Sequence, residues 1–237
     1  MLDKDRLTHH ISKQFNSELE DIRNRVLTMG GLVEHQVGEA MAALSSADQE
    51  KAEIVIRDDF KVNALEVEID EECNRVLARR QPTASDLRLI VAVIKTITDL
   101  ERIGDEAEKI ARMTLKDVKL DKKHNFQIRH FGEYVQKMVH DALDAFARMD
   151  VPQAVATAKA DADADNQYDS LMRELITYMM EDPRSISQIL NLLWAARALE
   201  RIGDHARNIC EYVIYLVEGK DVRHITLEQI EQAVMQD

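Results

Sequence analysis

Leu100-Glu101-Arg102-Ile103-Gly104-Asp105 returns as Leu199-Glu200-Arg201-Ile202-Gly203-Asp204, 99 positions further along a chain of 237 residues. Six identical residues at that offset mark the chain as two copies of one unit. Each string extends an apolar pattern of helical period: Leu87, Ile90, Val91, Ile94 and Ile97 precede the first, and Leu192, Leu193, Ala196 and Leu199 lead into the second. Steps of about 100° carry the first stripe onto Glu101, Asp105, Glu108 and Arg112, and the second onto Glu200, Asp204 and Glu211, with Arg207 among them. Carboxylates four apart on a helix repel, and the glycine between them costs about 1 kcal/mol relative to alanine. A unit that repeats both unfavourable choices needs something to offset them, either a bound cation or a close neighbour.

The punctuation around the strings repeats as well. The first helix is expected over 15–44. Ser46-Ala47-Asp48-Gln49 has a capping pattern and opens a second helix that continues to Arg80. Gln81-Pro82 breaks it, and Thr83-Ala84-Ser85-Asp86 caps a third helix reaching Leu115. A fourth helix spans 126–149. Asp150-Val151-Pro152-Gln153 starts the fifth, with proline tolerated in the first turn. Asp182-Pro183 ends it, Ser185-Ile186-Ser187-Gln188 caps the sixth, and Gly219 stops that one. The charged stretch 117–125 reads as the linker between copies, and 226–236 as a short terminal helix. The expected fold is all-α: two tandem three-helix bundles over 1–117 and 126–220, a linker at 118–125 and a tail from 221 to 237. Helices of about 30 residues are roughly 45 Å long, and short connections make neighbours antiparallel.

Composition agrees with helix and narrows the function. Only 7 Gly and 3 Pro occur, and 45% of residues are hydrophobic, enough for a core. The formal net charge of -13 argues against nucleic acid and against free phosphate on the general surface; it suits cations or basic faces of partner proteins. Cys73 and Cys210 fall within apolar helical segments and read as buried, reduced thiols. No apolar run approaches the about 20 residues that span a bilayer, and the polar start of the chain is unlike a signal peptide, so a cytoplasmic location is expected.

The helix before each string supplies matching oxygens. Asp59 and Asn63 lie four apart in the second helix, and Asp161 and Asp165 four apart in the fifth. Antiparallel packing sets Asp59 and Asn63 against Glu101 and Asp105, and Asp161 and Asp165 against Glu200 and Asp204. Each set offers four oxygen-bearing side chains, which suit Mg, Mn and Fe(II), and Zn less typically. The competing reading is solvated acids paired with Arg102, Arg112, Arg201 and Arg207, each pair contributing about 0–1 kcal/mol when exposed. His35, His140 and His205 are placed near the sets but read as surface or core residues. Trp194 and Met179-Met180 read as core. No Gly-rich phosphate loop, Ser-His-Asp arrangement or Cys-x-x-Cys is present, nor the paired Glu-x-x-His of di-iron bundles.

The twin Glu-Arg-Ile-Gly-Asp strings resemble those of the PhoU family of phosphate-transport accessory proteins. So do Arg80-Gln81-Pro82-Thr83-Ala84-Ser85-Asp86-Leu87-Arg88, Met29-Gly30-Gly31 and Leu143-Asp144-Ala145-Phe146-Ala147-Arg148-Met149-Asp150. The resemblance runs from about residue 10 to 223. It implies two similar three-helix bundles and clusters of divalent or trivalent metal ions on the paired acidic motifs. Here those are Glu101 with Asp105, Glu200 with Asp204, and Asp161 with Asp165. Asn63 stands where the first copy should carry its second acid, so that site is expected to bind metal more weakly. The resemblance further implies a non-enzymatic negative regulator, usually a homodimer, that links the ATPase subunit of a phosphate ABC transporter to a membrane sensor histidine kinase, restrains uptake, and meets the membrane only through those partners. The alternatives are a metal-dependent hydrolase or oxidase using the multi-carboxylate clusters, and a plain helical protein with solvated acids.

Overall fold

The computed structural model describes residues 13–116 and 122–223. The regular elements are helices: α1 (Lys13–Ser46), α2 (Gln49–Asp58), α3 (Phe60–Arg80), α4 (Ala84–Thr114), α5 (Lys122–Arg148), α6 (Val151–Glu181) and α7 (Ile186–Glu218), with a 3₁₀ turn, Pro183–Ser185, before α7. The all-α, tandem-bundle expectation is met. The expected terminal helix over 226–236 and residues 117–121 of the linker lie outside the described residues.

Three local readings change. The predicted second helix is divided at Asp59, whose carbonyl accepts both the Val62 N–H at 2.9 Å and the Asn63 N–H at 3.3 Å. Residues 122–125 are helix rather than linker, because tertiary contacts override their polarity. His124 is buried edge-on against Tyr178, with ring centroids 4.7 Å apart, and Asn125 donates to the Ser45 carbonyl at 2.7 Å. Trp194 and Met180 are not core; they are 62% and 79% exposed. α4 stops at Thr114 and runs antiparallel to α7 with Glu106 opposite Arg201, so the first two turns of α7 project past its end.

The turns repeat as faithfully as the acidic strings. α1 ends at Ala47 and α5 at Met149, both at φ 53°, in the left-handed region. An aspartate follows each and caps the next helix: Asp48 accepts the Lys51 N–H, and Asp150 the Gln153 N–H, both at 3.0 Å. Gly219, at φ 72°, ends α7 as expected.

The centre of the molecule is the antiparallel pair α4 and α7, one from each half. Both are buried on most of their surface, so their apolar pattern is wider than a single stripe. α1 packs on α4 and α5, α3 flanks α4, and α6 flanks α7. Buried residues of the two halves form one continuous apolar core. Polar bridges cross it. Asp99 meets His205 Nδ1 at 2.7 Å and accepts from Asn208 at 3.2 Å, and Glu106 pairs with Arg201 at 3.0 Å. α1 and α5 also touch closely: a side chain at Gly30 would run into Leu143, and one at Gly132 into Met41.

Candidate metal centre

The hairpin α3–α4 and the hairpin α6–α7 each carry one predicted set of four along their seam, close enough for the carboxylates to act on one another's charge. In the first half, the Asp59 carboxylate is buried, and Asn63 and Gln36 both donate to it, at 3.1 and 2.8 Å. Glu101 and Asp105 lie half-buried beside it on α4. Burial, then the neighbouring charge of Asp105, Glu66 and Asp59, pushes the Glu101 carboxyl above the ordinary carboxylate range. Burial and Asp59 do the same to Asp105. In the second half, burial and then the charges of Asp204, Asp165 and Asp161 raise Glu200, although Arg197 donates to it at 2.5 Å. Asp204 is raised by burial and Asp165. These are acids held closer to one another, and drier, than their charge favours.

Gly104 owes its absent side chain to this centre. A Cβ there would stand 3.2 Å from Gln36 Oε1 and 3.3 Å from Asp59 Oδ1, tighter than ordinary contact. Gly203 has more room, with Asp161 Oδ1 and Met138 both 3.8 Å from the equivalent point. The predicted close approach is real in the first half only.

The donor sets differ in how they would receive a cation. In the first seam, Asn63 Oδ1 and Gln36 Oε1 are buried acceptors without a hydrogen-bond partner. The nearby cations bond elsewhere, Lys109 to Glu106 at 3.0 Å and Arg102 to Asp99 at 4.0 Å, though their charge still reaches Asp105 and Glu101. Orphaned oxygens beside crowded carboxylates fit a hard metal ion. In the second seam Glu200 Oε2 is likewise without a partner, but Arg207 reaches Asp161 at 3.1 Å and Glu211 at 3.2 Å and sets a guanidinium on the innermost acid. Among the described residues no three His, Cys, Asp or Glu side chains are gathered so that they could hold an ion as they stand. An ion at the first seam would have to draw on the amide oxygens, with side-chain rotation to close the shell.

Sequence reasoning missed Gln36. It lies one residue from His35, the neighbour that drew attention, and a lone glutamine on an apolar helix carries no spacing signal. His35 itself is exposed, His140 meets Glu34 at 2.9 Å, and His205 is taken by Asp99. None of the three joins a carboxylate set.

Fold and seams together define a class: tandem helical bundles joined through their central helices, each with an acidic line between its last two helices. Among the described residues no helix is long and apolar enough to cross a membrane. The family model described as "PhoU domain" matches twice, over residues 26–114 and 128–213. The phosphate-specific transport system accessory protein PhoU homolog of Pseudomonas aeruginosa is 56% identical over 99% of this chain and 98% of its own length. PhoU of Escherichia coli K12 is 47% identical over 98% and 96%. The crystal structure of PhoU from P. aeruginosa superposes with a TM-score of 0.85 at 55% identity, covering 87% of this chain and all of that one. The phosphate transport system regulatory protein PhoU from Streptococcus pneumoniae gives 0.81 at 33% identity, over 88% and 99%. The chain belongs to the PhoU domain family.

Proposed function

We propose that this protein is an accessory regulator of phosphate transport that acts by binding rather than by turning over a substrate. The observation that carries the reading is the full-length match, at about half identity, to proteins named for that role. On this reading the protein represses phosphate-starvation signalling and restrains uptake. Its partners are the ATPase subunit of a phosphate ABC transporter and a membrane sensor histidine kinase. It works in the cytoplasm as a homodimer and meets the membrane through those partners.

Metal ions belong to the same proposal. Asp59, Asn63, Glu101 and Asp105 would hold one at the first seam, and Asp161, Asp165, Glu200 and Asp204 one at the second, where Arg207 already holds Asp161. Mg and Mn suit an all-oxygen shell best, with Fe next and Zn least typical. A bound ion would relieve the repulsion within the seam and fix α3 to α4.

Deletion of the gene in its host, with a phosphate-starvation reporter, tests the regulatory reading. The deletion should switch the reporter on in phosphate-rich medium, and the wild-type gene should restore repression. A reporter that stays silent in the deletion strain contradicts it.

A further inference from the structure

The two seams differ at one ion pair whose polarity is reversed. On α4, Glu108 precedes Arg112 and the two meet at 2.5 Å. At the repeat-equivalent positions of α7, Arg207 precedes Glu211 and they meet at 3.2 Å. Reversal moves the arginine's place on the helix four residues, about 6 Å, toward the Gly-Asp string. From there Arg207 reaches across to α6 and donates to Asp161. Both acids it holds are nearly dry, their side chains 6% and 4% exposed. Arg112 is 55% exposed and bonded only to Glu108.

The first seam has the complementary feature. Gln36, from α1, is buried to 7% exposure. Its Nε2 donates to Asp59, while its Oε1 finds no partner and lies 3.2 Å from where a Gly104 Cβ would stand. That oxygen is aimed at the turn between Glu101 and Asp105. Asn63 repeats the arrangement, its Nδ2 on Asp59 and its Oδ1 orphaned.

We infer that Arg207 is the resident cation of the second seam, and that a divalent metal ion binds at the first, where Gln36 and Asn63 add amide oxygens to Asp59, Glu101 and Asp105. The inference rests on the metal reading above and refines it. An ion that used Asp161 at the second seam would have to expel Arg207 and leave Glu211 buried without its partner, which is strongly unfavourable. The order of the sites is thereby the opposite of the one that counting ligand charges suggests. Asn63 in place of an acid weakens a site only where no guanidinium competes. The bound ion would also clamp α1 to the α3–α4 hairpin through Gln36, a link the second half lacks.

Calorimetric titration of the full-length, chelator-treated protein with Mn²⁺, with free Mn²⁺ counted by electron paramagnetic resonance, tests this. Glu101→Gln with Asp105→Asn should abolish the binding seen in wild type, and Glu200→Gln with Asp204→Asn should leave it unchanged. Gln36→Leu should weaken it about tenfold, the scale of lost metal-site contacts. Arg207→Gln should add binding at the second seam, and Arg207→Lys should not. If Arg207→Gln does not fold, the exchange Glu108→Arg with Arg112→Glu, on the more exposed pair, should close the first seam and remove its ion. Equal loss from both double variants, or an unaltered stoichiometry in Arg207→Gln and in the exchange, overturns the inference while the metal reading stands. A wild-type protein that takes up no Mn²⁺ overturns both.

Discussion

At the scale of single residues, the two glycines of the repeated string are not equivalent, and that is measurable. Gly203 has room for a methyl group, so Gly203→Ala should stabilise the protein by up to about 1 kcal/mol through helix propensity. Gly104→Ala pushes on Gln36 and Asp59 and should lose that gain. Chemical denaturation of the two variants gives both values, and equal stabilisation would contradict the account of Gly104. The cysteines are a second case. Burial pushes the Cys73 thiol up to about 12 and holds Cys210 above the ordinary thiol range. Neither is a thiolate at neutral pH. Ellman's reagent should find no reactive thiol in the native protein and two after unfolding. The placing of the two sets of four on neighbouring helices was legible because they sit at helical spacing in two copies. Gln36 and the reach of Arg207 were not, because each depends on which helix lies opposite, a matter that spacing along one helix leaves open.

At the scale of elements, the connections do much of the specifying. The α1–α2 and α5–α6 turns use a non-glycine residue in the left-handed region, a conformation that costs roughly 1 kcal/mol. Ala47 is exposed, and Ala47→Gly should therefore raise stability by up to about 1 kcal/mol, while Asp48→Ala should lower it by about 1 kcal/mol through the lost cap. A destabilised Ala47→Gly variant would show that the turn stores no strain. Capping aspartates and prolines made the helix ends readable from sequence. The one-residue break at Asp59 was not readable, since no glycine or proline marks it and its backbone stays helical. The junction of α1 with the end of α3 carries a pH signature. Arg80 donates to Glu18 at 3.0 and 2.7 Å, and those hydrogen bonds hold the Glu18 carboxyl below its ordinary range. A lowered folded-state pKa gives stability that is present above the unfolded value, about 4.3, and is lost as pH falls through the folded one. Glu18→Gln should thus cost stability at pH 7 and approach wild type below about pH 4. A difference that persists undiminished at low pH would contradict the ion pair's role.

At the scale of the molecule, two copies behave as one body because the last helix of each is the first neighbour of the other. α4 and α7 bury their wide apolar faces together and tie them with Asp99, His205 and Asn208. Asp99→Ala leaves buried donors unpaired and should cost about 1–3 kcal/mol, and the two halves should still unfold in one transition. Separate transitions in calorimetry would contradict the shared core. The repeat and the all-α class followed from the sequence; the joining surface did not, because a helix buried on most sides has no single stripe to read. The seams lie on the two flanks of this central pair, so the chain presents two similar acidic lines, and on the inference above each takes a different cation. That asymmetry is the central claim. An anomalous-difference map from crystals of the wild-type protein grown with Mn²⁺ tests it most directly. It should show a peak among Asp59, Asn63, Glu101, Asp105 and Gln36, with Arg207 still seated on Asp161 and Glu211. A peak confined to the second seam, with Arg207 swung away, would contradict it.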